Sequence, residues 1–191
     1  MKHKNRALRI TLITIGIIII VLVGVFYLFI VSGAFLTLLP NPPAPEIQYG
    51  EFPFTLTYEL DGEIIEINDA VICEYDGVVR SGTPTRKWKS SLKNGQKYIT
   101  LLNFESLNIK NDNGEKIIEL YFYYGTGAYY MGDNDDSFSR TEQSTDRVCY
   151  MYKNKNKEVR HGSFSAAEAY EKFGIRLISW ECAPPIENSF K

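Results

Sequence analysis

Asp133, Asp135 and Ser137 in GDNDDSFSR stand at positions 1, 3 and 5 of a calcium-loop spacing, where oxygen ligands are wanted. Position 6 of that pattern calls for glycine and holds Phe138; position 12 calls for Glu and holds Ser144. The segment is not an EF-hand. It reads either as a calcium contact through Asp133 and Asp135 or as a solvated acidic loop, and the sequence suggests no other cofactor. Hydrolytic chemistry would have to use His161, because the other histidine, His3, lies before the long apolar segment described below. No G-x-S-x-G precedes His161, and HGSFS reads as a strand leading into a helix cap. Zinc is poorly served by one such histidine, three scattered cysteines and no C-x-x-C.

Binding chemistry has two candidate stretches. In YFYYGTGAYYMG the flat rings of Tyr129 and Tyr130 would suit a sugar face, and the glycines beside them imply a loop; the alternative is that tyrosine is a good strand and core residue. In RKWK, Lys87 and Lys89 fall on one strand face and Trp88 on the other. That basic stripe would meet an anionic wall polymer or phospholipid headgroups, or would be an ordinary wet strand face. Cys73, Cys149 and Cys182 sit in the strand-like runs VICEY, RVCYMY and ISWEC. They allow one disulfide in three pairings plus a free thiol, or three reduced, buried small hydrophobes.

These residues are positioned by what precedes them. MKHKNRALR carries Lys2, Lys4, Arg6 and Arg9, and no further charge appears until Glu46. Within that gap Ile10–Ile30 is almost wholly apolar, and its 21 residues make a helix as long as a bilayer core is thick, about 30 Å. A signal peptide cleaved near Val31-Ser32-Gly33-Ala34 is the alternative, but this apolar run is longer than the roughly 7–15 residues such peptides use. The first basic residue after the segment is Arg80, so the excess of Lys and Arg before it places residues 1–9 in the cytoplasm and the rest outside. Pro40-Asn41-Pro42-Pro43-Ala44-Pro45 then reads as an extended spacer. The expected organisation is a cytoplasmic tail at 1–9, a bilayer anchor at 10–32, a spacer at 33–48, a β-rich domain at 49–183 and a loose tail at 184–191.

Four of the 21 basic residues precede the span, leaving 17 against 23 acids and a net charge of −6 beyond it. That balance argues against a nucleic-acid partner. The charges are segregated: residues 46–79 hold nine acids and no base, and residues 80–110 hold seven bases and one acid. Such a pattern makes two functional patches, or two ribbons whose outer faces attract one another.

FTLTYELDGEIIEI alternates apolar and polar residues around Asp61-Gly62, a type I′ hairpin signal. The turn pairs Leu60 with Glu63, Tyr58 with Ile65 and Leu56 with Ile67, and that register puts the apolar residues on one face. The same reading at Asn94-Gly95 sets Trp88 opposite Leu101 and Ser90 opposite Ile99. At Asn113-Gly114 it sets Ile109 opposite Ile118 and Leu107 opposite Leu120. Asp76-Gly77 is a weaker candidate for a fourth hairpin. IIELYFYY and RVCYMY are apolar on both faces and read as central strands. SFSAAEAYEKFG carries a capping box, Ser165 and Glu168, and a terminal Gly174, giving a helix over about 166–173. IRLISWEC reads as a last strand. The expected fold is mainly β, antiparallel and sandwich-like, with one short helix, behind one N-terminal transmembrane helix.

GEFPFTLTYELDGEIIEINDAVICEYDG, with RKWKSSLKNG and EAYEKFGI, resembles a group of uncharacterised single-span proteins of low-GC Gram-positive bacteria, over most of residues 49–182. The resemblance implies a cell-surface location and carries no activity and no site residues. The leading expectation is a non-enzymatic surface module for a protein or cell-wall partner. An accessory subunit associating through its span and a hydrolase-like enzyme using His161 are the alternatives.

Overall fold

In the computed structural model, residues 2–31, 33, 38–104, 109–133 and 144–191 are described. The chain divides into two compact units, residues 1–42 with 78–85, and residues 43–77 with 86–191. The first is built on helix α1, Lys2–Val31. Its stretch Leu12–Val31 is long and apolar enough to cross a membrane, and its apolar side chains lie exposed.

The second unit contains most of eight strands: β1 (Tyr49–Leu60), β2 (Glu63–Val79), β3 (Thr85–Leu92), β4 (Ile99–Asn103), β5 (Lys116–Phe122), β6 (Arg147–Lys153), β7 (Val159–Ser165) and β8 (Ile175–Cys182). Two short helices, α2 (Gly127–Tyr130) and α3 (Ala166–Phe173), interrupt the sequence of strands. The strands form two four-stranded sheets, ordered β3-β2-β1-β8 and β4-β5-β6-β7. Their apolar faces meet: Phe54, Leu56 and Val71 of one sheet and Leu120, Phe122 and Val148 of the other belong to one buried cluster. Trp180 of β8 joins the layers, with its ring 4.7 Å from Phe54 and 4.9 Å from Phe122. Each such side chain contributes about 1.5–3 kcal/mol on burial, so this seam is the main source of the fold's stability.

The β1–β2 hairpin has the register that its sequence dictates, with Leu60↔Glu63, Tyr58↔Ile65 and Leu56↔Ile67. Asp61 and Gly62 both take positive φ, 51° and 88°, as a type I′ turn requires. β5 and β6 are interior strands, as their two apolar faces demand. The helix is also where its signals put it. Ser165 and Glu168 exchange both bonds of the capping box, and Gly174 ends the helix at φ 65°. A Cβ there would lie 2.4 Å from Asp61 Oδ1, because the β1–β2 turn packs on the helix end. β8 then pairs with β1.

Three expectations about turns fail, each for a local reason. Asn94-Gly95 does not join two strands of one sheet: β3 and β4 belong to different sheets, so Trp88 does not pair with Leu101, nor Ser90 with Ile99. The turn closes on itself, with Leu92 N–H to Gln96 C=O and Gly95 N–H to Leu92 C=O bonds of 2.8 Å, and the chain then crosses to the other layer. At Asn113-Gly114 the loop has three residues instead of two. Asn111 Oδ1 accepts the backbone N–H groups of Asn113 and Glu115 at 3.1 and 2.9 Å. Lys110 bridges Lys116 and the Ile117 N–H reaches Ile109 C=O, so Ile109 faces Ile117 and not Ile118. Leu107 lies outside the described residues. Asp76-Gly77 makes no hairpin, since β2 runs through it to Val79.

The carboxy-terminal segment is fastened, contrary to a loose tail. Pro45 bridges Phe190, Glu46 N–H reaches Ser189 C=O at 2.8 Å, and Ile186 N–H reaches Tyr130 C=O at 2.9 Å.

Candidate functional site

β3 carries two sets of side chains with opposite fates, because successive residues of a strand point to opposite faces. On the inner face, the Arg86 guanidinium makes two parallel bonds to Asp133, Nε to Oδ2 and Nη2 to Oδ1, both 2.7 Å. Both side chains are only 3% exposed. Trp88 Nε1 donates to the same Asp133 Oδ2 at 2.9 Å, and the Phe190 ring lies 4.0 Å below the guanidinium. Arg86 Nη1 also reaches Pro43 C=O at 3.4 Å. One buried pair thus gathers the spacer end, β3, the turn after α2 and the carboxy-terminal segment. Asp133, a candidate calcium ligand by spacing, has both carboxylate oxygens turned to Arg86. Asp135 lies outside the described residues. Among the described residues no three of His, Cys, Asp and Glu cluster as a metal site would need.

On the outer face, Lys87 and Lys89 share one carboxylate. Their ammonium groups lie 2.5 and 3.0 Å from Asp76 of β2. Lys87 first, then Lys89, hold the Asp76 carboxyl below its ordinary value. This is where the acidic ribbon of residues 46–79 meets the basic ribbon that follows: their strands β2 and β3 are neighbours, and outward charges pair across them. The pairing is incomplete. Lys87 and Lys89 remain 50% and 65% exposed, and Lys93 and Lys97 in the β3–β4 turn are exposed as well. With Trp88, Tyr98 and Tyr123 these four lysines line a groove of about 660 Å³ at the β3 edge.

Tyr129 and Tyr130 belong to α2, capped by Thr126, and not to a loop. Tyr130 is 1% exposed, packs 4.9 Å from Phe52 and donates its hydroxyl to Tyr124 C=O. Burial pushes its hydroxyl well above the usual tyrosine range. Tyr129 is half-buried against the same core. The groove has aromatic faces of its own: Tyr123 is 40% exposed, less than Tyr49 and Tyr170 elsewhere on the domain, and the half-buried Tyr98 is braced 4.4 Å from Tyr121. Sequence reading missed Lys93, Lys97, Tyr98 and Tyr123 as companions of Lys87 and Lys89. The available signal was the run of seven bases against one acid in residues 80–110.

His161 sits on β7 with Nδ1 2.9 Å from the Tyr121 hydroxyl. Burial, ahead of the nearby Cys149, pushes that hydroxyl up, so it stays a neutral phenol. The three cysteines are unbridged. Burial pushes the Cys73 thiol up to about 12 and raises those of Cys149 and Cys182, so all three behave as protonated, poorly nucleophilic side chains at neutral pH.

Comparison with protein-family models, with curated proteins and with solved structures finds no match to this chain.

Proposed function

We propose that the protein is a membrane-tethered binding module. Helix α1 crosses the bilayer with its basic end in the cytoplasm, and the β domain outside the cell engages a protein or wall polymer without performing chemistry on it. What carries the reading is the state of α1. From Leu12 to Val31 it presents 20 residues, nearly all apolar, to its surroundings. At about 1.5 kcal/mol per side chain, leaving them in water costs on the order of 30 kcal/mol, more than the whole net stability of an ordinary domain. Lipid is the solvent that removes this cost. Orientation rests on Lys2, Lys4, Arg6 and Arg9, against no further basic residue before Arg80. A cell-surface location is also what the sequence resemblance to single-span proteins of low-GC Gram-positive bacteria would imply. The non-catalytic reading is supported by the engagement of the groups considered for chemistry. Asp133 is neutralised by Arg86, His161 is bonded to a neutral phenol, and the thiols are protonated.

Cross-linking with a membrane-impermeant amine reagent in intact cells, followed by mass spectrometry, tests the proposal. The expected product joins lysines of residues 87–191 to a surface protein or wall polymer. Absence of such products in intact cells, with cross-links of these lysines appearing only after lysis, would refute it.

A further inference from the structure

We propose that the groove at the edge of β3 binds a polyanionic glycan, a chain in which sugar or polyol units alternate with phosphate or carboxylate. The proposal rests on the extracytoplasmic binding reading above and adds a site and a ligand class to it.

Charge is the first argument. Beyond the span the chain carries a net charge of −6. The groove has the opposite sign, with Lys87, Lys89, Lys93 and Lys97 set against Glu74 in its lining and Asp76 beside it. A cationic concavity on an anionic body attracts anions and holds them, while the rest of the surface repels them. Spacing is the second argument. Lys87 and Lys89 project from the same strand face two residues apart, about 7 Å, and the β3–β4 turn continues the series with Lys93 and Lys97. A row of separated cations matches a repeating anion better than a single one. Shape and lining are the third. About 660 Å³ accommodates several repeat units, and Tyr98 and Tyr123 supply flat faces for the units between charges. A bilayer surface is flat and would touch the exposed lysine heads without following the concavity. A glycan chain can lie in it.

Asp76 gives the site an internal competitor. Its bonds to Lys87 and Lys89 are partly exposed, solvent-screened ion pairs, so an incoming phosphate or carboxylate displaces them at little cost. The side chain holds both lysines over the groove until the ligand takes its place.

The test uses the full chain in phosphatidylcholine nanodiscs and three labelled probes: glucosylated poly(glycerol phosphate), polygalacturonate and neutral dextran. Wild type should bind at least one anionic polymer, with affinity falling as salt rises, and should not bind dextran. The Lys93→Gln/Lys97→Gln variant should bind about 10-fold more weakly, corresponding to ~1.4 kcal/mol. Asp76→Asn should bind several-fold more tightly, a direction that a folding defect would not produce. Absence of polymer binding to wild type would overturn the proposal. So would lysine variants that bind as wild type does, an Asp76→Asn variant that binds no more tightly, or equal binding to phosphatidylglycerol nanodiscs by wild type and the lysine variant with no binding of free polymer. None of these outcomes bears on which side of the membrane the domain occupies, so failure of the ligand assignment and failure of the tethered-module reading are separable.

Discussion

Replacing Asp133 with Ala should destabilise the β domain by about 3–5 kcal/mol, the usual cost of removing one partner of a buried ion pair. Asp133 receives two bonds from Arg86 at 2.7 Å and one from Trp88 at 2.9 Å. Its loss leaves a guanidinium that is 3% exposed facing a vacated site. Against a typical net stability of about 5–15 kcal/mol, the change is large enough to move an unfolding midpoint well beyond error. The mechanism is desolvation of an orphaned cation, so removing the cation as well should recover much of the loss. Arg86→Met combined with Asp133→Leu should therefore be more stable than Asp133→Ala alone. Urea unfolding of the full chain in nonionic micelles, followed by tryptophan emission, measures both. The two tryptophans, Trp88 and Trp180, both lie in the β domain, so the signal is blind to α1. A loss below about 1 kcal/mol for Asp133→Ala, or a double variant weaker than the single one, would refute the claim that charge burial holds this node together.

Lys157→Gly should raise stability by about 1 kcal/mol in the same unfolding assay, because Lys157 sits at φ 64° in a turn whose counterpart, Asn111–Glu115, uses Gly114 at φ 75°; an unchanged midpoint would contradict it. Ser165→Ala should cost about 1 kcal/mol through loss of the helix cap. Its partner Glu168 is held below its ordinary carboxyl value of 4.5, first by the Ser165 backbone N–H. The stability from Glu168 is therefore present above pH 4.5 and lost as pH falls through the lower folded value, so Glu168→Gln and wild type should differ at pH 7 and converge in acid; a gap that widens in acid would contradict the assignment. Deleting residues 184–191 removes the Phe190–Arg86 contact and the Ile186–Tyr130 and Ser189–Glu46 bonds, and at about 1 kcal/mol per bond should cost about 2 kcal/mol or more; a deletion variant as stable as wild type would show the segment to be unattached.

What could be read from the sequence was local. The Asp61-Gly62 hairpin, the capped helix and β8 were legible because turn chemistry, apolar alternation and capping signals agreed over a dozen residues. The Asn94-Gly95 turn misled because a tight turn looks the same whether its arms pair in one sheet or diverge into two. Its outcome depends on β5 claiming β4 and β2 claiming β3. The register at Asn113-Gly114 slipped by one because a single side chain, Asn111, accepts two backbone N–H groups and selects a three-residue loop; Asn154 does the same before Glu158. Asp133 reads as a metal ligand by loop spacing, whereas its partner Arg86 lies 47 residues away, beyond any spacing rule. Lys87 and Lys89 were visible as a stripe, but their groove was not. Tyr123 directly follows β5, and only the two-sheet topology brings it beside the β3–β4 turn.

The most direct measurement of the central claim is cysteine accessibility in whole cells. Lys155 lies exposed in the β6–β7 turn, and Lys4 belongs to the basic segment before the span. With an impermeant maleimide and the wild-type chain as background, Lys155→Cys should label as fully in intact cells as after lysis, and Lys4→Cys only after lysis. Labelling of Lys4→Cys but not Lys155→Cys in intact cells would place the β domain on the cytoplasmic side and contradict the account.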